Sequence, residues 1–322
     1  MSKKNIALLG ATLVSVIYGL TFTIAKDVMP QYIDAYGFIL LRVGGTTLLF
    51  WLFWFFMPKE KIALNDFPRI IAAAFFGVAF NMLTFFKGLS LTSPISAAVI
   101  MVSTPMIVLV LSAIIMKEPM KKRMVSGIIL GLIGTAFLIL YGKSIGSTTH
   151  GGFGNFLVLV NAISYGFYLI IVKKLMEKYN AFTFVKWIYS FGLIMVLPFG
   201  WSQLTTAQWI LIPTLIYWKI GFVVVVSTFL TYLLNLLTMK ELKPTTVAVF
   251  IYLQPLFATI FAISLGKDKL DLVKIVSAIL IFIGVYLVTS SPNSSNKPNK
   301  IRRMLPLGLR ANFLLSLTSF RK

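Results

Sequence analysis

The chain has 322 residues, 58% of them hydrophobic and 12% charged, with a mean hydropathy of +0.90. That is too apolar for an ordinary water-soluble domain and puts the chain in a bilayer. There is no cysteine, which excludes disulfides and thiolate metal sites, and the net charge of +21 has to be read from its distribution before it is taken for a nucleic-acid surface.

The segment MSKK leads into the first of ten apolar runs, at residues 6–25, 35–57, 69–87, 94–116, 123–141, 153–172, 181–201, 217–237, 245–265 and 272–289. Runs of roughly 18 or more apolar residues are long enough to cross about 30 Å of hydrocarbon as helices. The first run lacks a small-residue cleavage site and reads as a retained helix. The connections are short, which excludes a separate soluble catalytic domain.

Polar side chains inside hydrocarbon are costly unless they face protein or a cavity, so their positions along the runs are informative. The first run carries Tyr18 beside Gly19. The second carries Arg42, seven residues beyond Ala35. That is about 11 Å along a helix rising 1.5 Å per residue. From there the guanidinium has two readings: it snorkels to the outer face as a structural cation, or it meets a substrate anion.

The third run offers Asn81 and Thr84, and the fourth Ser103 just ahead of Pro105. A proline there removes a backbone hydrogen bond and breaks or kinks the helix. Gly127, Gly131 and Gly134 in the fifth run have the small-residue spacing of close helix packing. His150, in GSTTHGGFG, reads as a loop residue, and no metal site is predicted.

In the sixth run Asn161, Ser164, Tyr165 and Tyr168 stand at i, i+3, i+4 and i+7, one stripe of a helix. Thr228, Thr231, Tyr232 and Asn235 repeat that spacing in the eighth, and the ninth has Tyr252 and Gln254 beside Pro255. Together with Tyr18, Asn81, Thr84 and Ser103 these predict a central polar and aromatic substrate cavity. The competing reading is that the same side chains hydrogen-bond helix to helix.

Lys186 and Lys219 lie near run ends and read as interfacial anchors. All nine acids fall in connections or at helix ends. Glu118 and Asp268 are expected to cap the starts of the fifth and tenth runs, to pair with neighbouring lysines, or to form a gating ion pair. A buried carboxylate relay for protons is therefore not predicted. No nucleophile with a base, acid pair or His cluster points to an enzyme. A helical receptor or scaffold is the other alternative to a transporter.

With the N-terminus in the cytoplasm, the inside connections hold 14 Lys and Arg, the tail after Ser290 seven more and the outside connections six. This positive-inside bias places both termini in the cytoplasm and assigns the basic charge to orientation rather than nucleic acid.

The chain also repeats itself. At an offset of 150, Pro94, Pro105, Lys117 and Gly134 fall on Pro244, Pro255, Lys267 and Gly284, and Glu118 on Asp268. Earlier in each half the offset is 147, which lays residues 17–32 on 164–179 and pairs Tyr18 with Tyr165 and Gly19 with Gly166. A five-helix unit copied once must enter the membrane upside down the second time, giving an inverted-topology repeat, the architecture of secondary transporters. Paired prolines in such repeats point to broken helices near the midplane.

The order of Tyr18 and Gly19, Arg42, the stretch GLSLTSPISAAVIMVSTPMIVLVLSAIIMKE and Gly134, followed by Tyr165, Gly166, Pro244, Pro255 and Gly284, resembles the EamA-type transporters of the drug/metabolite transporter superfamily. The likeness covers roughly residues 5–290; Asp268 stands where that pattern usually has Glu, and Tyr18 and Tyr165 where Trp is commoner. The resemblance implies an all-α membrane protein with one repeat over 1–145, an inverted one over 151–290 and a flexible cytoplasmic tail over 291–322. It implies export, or occasionally uptake, of small metabolites such as amino acids by alternating access. The expected partners are a small-molecule substrate and the lipid bilayer, without a cofactor or nucleic acid, in the inner membrane of a prokaryote; the oligomeric state is left open, a monomer being compatible with the reading.

Overall fold

A computed structural model describes residues 3–56, 60–115, 122–141, 150–232, 234, 238, 250 and 253–289. Regular structure among the described residues is entirely helical. In hydrocarbon a helix satisfies every backbone group within the segment, and these apolar runs have no other way to do so. The helices are α1 (Lys3–Val28), α2 (Ala35–Trp54), α3 (Phe67–Ala74), α4 (Phe80–Leu91), α5 (Pro94–Met101) and α6 (Thr104–Ile115). They continue with α7 (Lys122–Tyr141), α8 (Gly151–Met176), α9 (Ala181–Thr205), α10 (Thr214–Gly221), α11 (Leu253–Ser264) and α12 (Leu272–Thr289).

Two segments are wound as π-helix: Phe75–Ala79 joins α3 to α4, and Phe222–Leu230 extends α10. Among the described residues, six helices are long and apolar enough to cross a membrane, and four shorter apolar helices accompany them. The chain is an integral membrane protein on that ground. Boundaries depart from the sequence reading where local chemistry extends a helix. The third run, expected at 69–87, is one continuous span over Leu64–Leu91, entered through a short 3₁₀ turn with Pro68 in the first turn of α3.

The fourth run, expected to break or kink at Pro105, is two helices. Ser93 caps α5 by accepting from the Ser96 backbone N–H at 3.2 Å, with Pro94 at the first helical position. At its far end Val102 and Ser103 donate to Val99 and Ile100, the tight i→i+3 pattern that closes a helix. Helix α6 starts one residue ahead of Pro105, where a missing backbone N–H costs nothing. Pro255 likewise stands in the first turn of α11.

The main packing pairs are α7 with α12, α2 with α9, α4 with α8 and α1 with α11; α6 packs on α8, and α1 on α10 and the second π segment. The α7–α12 pair depends on glycine. A Cβ added at Gly284 would come within 2.6 Å of the Gly127 carbonyl oxygen and 2.7 Å of the Gly131 nitrogen, so the two backbones meet where only hydrogen fits.

Element starts recur along the chain. Helix α10 starts 147 residues after α3, and the second π segment 147 residues after the first.

Candidate substrate site

Arg42 sits in the middle of α2, on the face that carries Phe38, Ile39 and Val43 into the core. It is 9% exposed, and its head does not reach the outer face, so the snorkelling reading is corrected. Its Nε donates to the Thr228 hydroxyl at 2.8 Å, and its Cζ lies 4.8 Å from the centre of the Phe86 ring. Thr228 in turn donates to the Val223 carbonyl at 2.7 Å, five residues back. That long step belongs to the π winding, which turns the hydroxyl toward α2. Among the described residues no carboxylate lies within ion-pairing distance of Arg42.

Around this cation stand phenols. Tyr18, Tyr189 and Tyr232 are within its electrostatic reach. The Tyr168 and Tyr232 hydroxyls are 3.4 Å apart, the Tyr165 and Tyr168 rings 5.7 Å apart, and the Tyr189 and Tyr232 rings meet edge to face at 5.6 Å. The Phe50 ring closes one side, 5.2 Å from Tyr189 and 5.9 Å from Tyr232. Tyr18, Tyr165 and Tyr232 keep partial accessibility although they stand well inside their helices. The Tyr189 hydroxyl is buried with no hydrogen-bond partner among the described residues.

Helices α1, α2, α4, α8, α9 and the second π segment therefore converge on one charged aromatic centre. Sequence reasoning missed Tyr189 and Phe86. For Tyr189 the signal was present: the offset of 147 that pairs Tyr18 with Tyr165 also pairs Arg42 with Tyr189. Phe86 carried none, because one phenylalanine among 28 is unmarked until a partner lies over it.

Other predicted residues are engaged elsewhere. Asn161 donates to the Asn81 carbonyl at 2.9 Å and Asn81 to the Asn161 carbonyl at 3.3 Å, a reciprocal clasp between α8 and α4. Ser164 donates to the Phe76 carbonyl at 2.7 Å, tying α8 to the first π segment. The expectation that Asn81 and Asn161 line the cavity is corrected to this extent: their amides hold helices together, although Asn161 Oδ1 has no partner among the described residues. Thr84, Ser103 and Thr231 turn their hydroxyls back onto carbonyls of their own helices, at Phe80, Ile100 and Ser227. Gln254 is partly buried beside buried Pro255 in the first turn of α11. Asn235, Tyr252 and Glu118 lie outside the described residues.

A recess of about 430 Å³ opens elsewhere, between the α1–α2 connection at Pro30–Asp34 and the end of α9 with the connection that follows it, lined there by Gln203, Thr206 to Gln208, Leu211 and Ile212. None of the candidate residues lines it.

The ends of the bundle are built from paired charges. Where α1 finishes, Asp27 pairs with Lys219 and, at 2.6 Å, with Lys267, so Lys219 is an ion-pair partner rather than a free anchor. Asp268, 2% exposed, accepts from buried Lys274 at 2.7 Å and from the Ile95 backbone N–H at 3.3 Å. It therefore reaches the start of α5, while Asp271 caps α12 by accepting from the Lys274 backbone at 2.8 Å. The cap expected of Asp268 belongs to Asp271, because Asp271 is the residue that directly precedes the helix.

Lys26 donates to the Leu89 and Ser90 carbonyls at 3.0 and 2.6 Å, where α4 ends. At the other end Asp66 pairs with Lys178 and accepts from the Tyr179 hydroxyl at 2.6 Å. The hydrogen bond to Asp66, then the one to Tyr179, raises the Lys178 ammonium above its ordinary pKa. Lys186, read as an interfacial anchor, is 4% exposed and packs among tryptophans near the start of α9, 3.6 Å from the Trp54 ring centre and 4.8 Å from that of Trp51.

Comparison with known proteins bears on the family and the fold. The model of the EamA-like transporter family matches residues 5–140 and again residues 152–290. The chain belongs to the EamA-like transporter family. The EamA-like chain is 24% identical to an uncharacterized transporter of Archaeoglobus fulgidus over 82% of its own length and 89% of the relative's. It is 26% identical to the uncharacterized transporter YyaM of Bacillus subtilis over 84% and 89%. A solved crystal structure, 15% identical, superposes with a TM-score of 0.57 over 91% of this EamA-like chain and 100% of the other, a likeness of fold.

Proposed function

We propose that the chain is a ten-pass secondary transporter that moves a small polar metabolite, an amino acid or related compound, across the inner membrane of a prokaryote by alternating access. Export is the direction the family likeness implies, with uptake as the alternative, and both termini are cytoplasmic. Residues 1–145 and 151–290 are the two inverted repeats; the tail expected over 291–322 lies outside the described residues. The observation that carries the reading is that the packing survives exchange of the halves.

With α1 matched to α8, α2 to α9, the α3–α4 span to α10 and its π extension, α6 to α11 and α7 to α12, the pairs α2–α9 and α7–α12 map onto themselves. The pair α6–α8 maps onto α11–α1, and α4–α8 onto the packing of the second π segment on α1. The coincident element starts at 147 residues support the same exchange. Two nearly equivalent halves can trade conformations, opening the Arg42 and tyrosine centre to one side and then the other. The six-helix convergence on that centre supports it as the substrate site rather than the peripheral recess.

The test is direct because the chain has no cysteine: single cysteines at 116–123 and at 266–272 are labelled in intact cells with a membrane-impermeant maleimide. The inverted repeat requires labelling of the second set and protection of the first. Equal labelling of both sinks the mechanism. Counterflow of radiolabelled amino acids in proteoliposomes then tests transport itself, and uptake that depends on a pH gradient overturns the expectation of no carboxylate relay.

A further inference from the structure

Arg42 is the one described cation in the interior of the bundle that neither pairs with a carboxylate nor lies in an aromatic box at a helix end, and the fold does not explain it. A guanidinium cannot shed its charge in a protein, so its burial is costly unless an anion or a full set of acceptors meets it. Among the described residues one neutral hydroxyl does so, at Nε. The two terminal nitrogens, with four N–H groups, have no acceptor among those residues.

Nor is charge needed to pack this position. The counterpart of Arg42 in the second half is Tyr189, fully buried in the same aromatic cluster. The architecture accepts an uncharged side chain at one copy of the site and carries a cation at the other.

We propose that Arg42 anchors a substrate carboxylate, so that the transported compound is a monocarboxylate with an apolar or ammonium-bearing remainder, as in an amino acid. The proposal rests on the transport reading and deepens it. The terminal nitrogens of a guanidinium form a planar fork that matches the two oxygens of a carboxylate. One cation balances one negative charge; a phosphate ester, carrying about −1.5 to −2 near neutrality, leaves excess negative charge among ring faces that repel it. The partly accessible rings of Tyr18, Tyr165 and Tyr232 suit a hydrocarbon or ammonium remainder instead.

The experiment uses the full-length protein in detergent, with the twenty L-amino acids and a set of short monocarboxylates as probes. Thermal shifts followed by tryptophan fluorescence identify binders, which are then titrated beside their carboxamides and decarboxylated amines. The expected result is a carboxylate that binds at least tenfold more tightly than its carboxamide on the native protein, a comparison that needs no variant. In Arg42→Gln the carboxylate loses that advantage and binds like the amide, while Arg42→Lys recovers part of it.

Equal binding of carboxylate and carboxamide overturns the proposal, as does unchanged carboxylate affinity in Arg42→Gln or the absence of any binder in the set. The two readings fail separately. A carboxylate held by Arg42 that shows no counterflow in vesicles leaves the anchor and removes transport; counterflow of an amine or sugar that is unchanged in Arg42→Gln leaves transport and removes the anchor.

Discussion

The centre of the bundle and its ends treat charge in opposite ways. At the ends each of Lys219, Lys267, Lys274 and Lys178 faces a carboxylate, and buried Asp268 has three donors around it. At the centre Arg42 has a hydroxyl and a ring face. Paired charges hold elements in place, because breaking a buried pair strands its partner. An unpaired charge strands no partner when it is removed, so charge does structural work at the ends, whereas in the middle it has the ligand-binding role proposed above.

The largest effect that sharpens this contrast is at Arg42. Arg42→Met is expected to reduce substrate counterflow by about a thousandfold, about 4 kcal/mol, in the range for losing one partner of a desolvated charge pair. The melting temperature of the ligand-free protein should stay level or rise, since no internal partner is stranded. A large loss of thermal stability would place Arg42 with the structural charges. Asp268→Asn should do the reverse, removing about 3 kcal/mol of stability by leaving buried Lys274 without its anion; thermal unfolding in detergent reads it.

Gly284→Val tests helix packing without charge. The added carbon atoms meet backbone of Gly127 and Gly131, and a loss of about 1 to 3 kcal/mol is expected. Smaller still is Asn161→Ala, which removes one direction of the clasp with Asn81, worth about 0.6 kcal/mol for a hydrogen bond between membrane helices. A loss of counterflow out of proportion to that stability change would return Asn161 to the substrate site.

The smallest effect belongs to Lys178, whose partner Asp66 lies at a wet helix end. Lys178→Gln should leave the melting temperature near pH 7 almost unchanged, because water screens an exposed pair. Because pairing raises the Lys178 pKa, its contribution is complete below the ordinary value of 10.5 and is lost only as pH climbs through the raised value. The melting difference between native protein and Lys178→Gln is therefore flat from pH 6 to about 9.

Much of the membrane architecture was legible in the residues. Long apolar runs have one solution in hydrocarbon, so the helical class followed from hydropathy, and Pro105 announced the break between α5 and α6 because proline has no N–H to give. The π segments were not legible, since Phe75–Ala79 and Phe222–Leu230 are apolar like their neighbours. Their wide turns nonetheless orient Thr228 toward Arg42. The Asn and Tyr stripe of α8 was visible as a stripe, but spacing alone could not divide it into Asn161, which clasps α4, and Tyr168, which faces Tyr232.

Composition and the internal offset by themselves determined that this chain lives in a bilayer as helices, where its charges concentrate and which residues are counterparts in the two halves. Those properties depend on transfer to hydrocarbon and on order along the chain. Which polar groups satisfy one another was decided only in three dimensions. Arg42 and Thr228 are separated by 186 positions in sequence, and Asp268 and Ile95 by 173. A hydrogen bond between such distant groups depends on the distance the fold leaves between them, which no local pattern encodes.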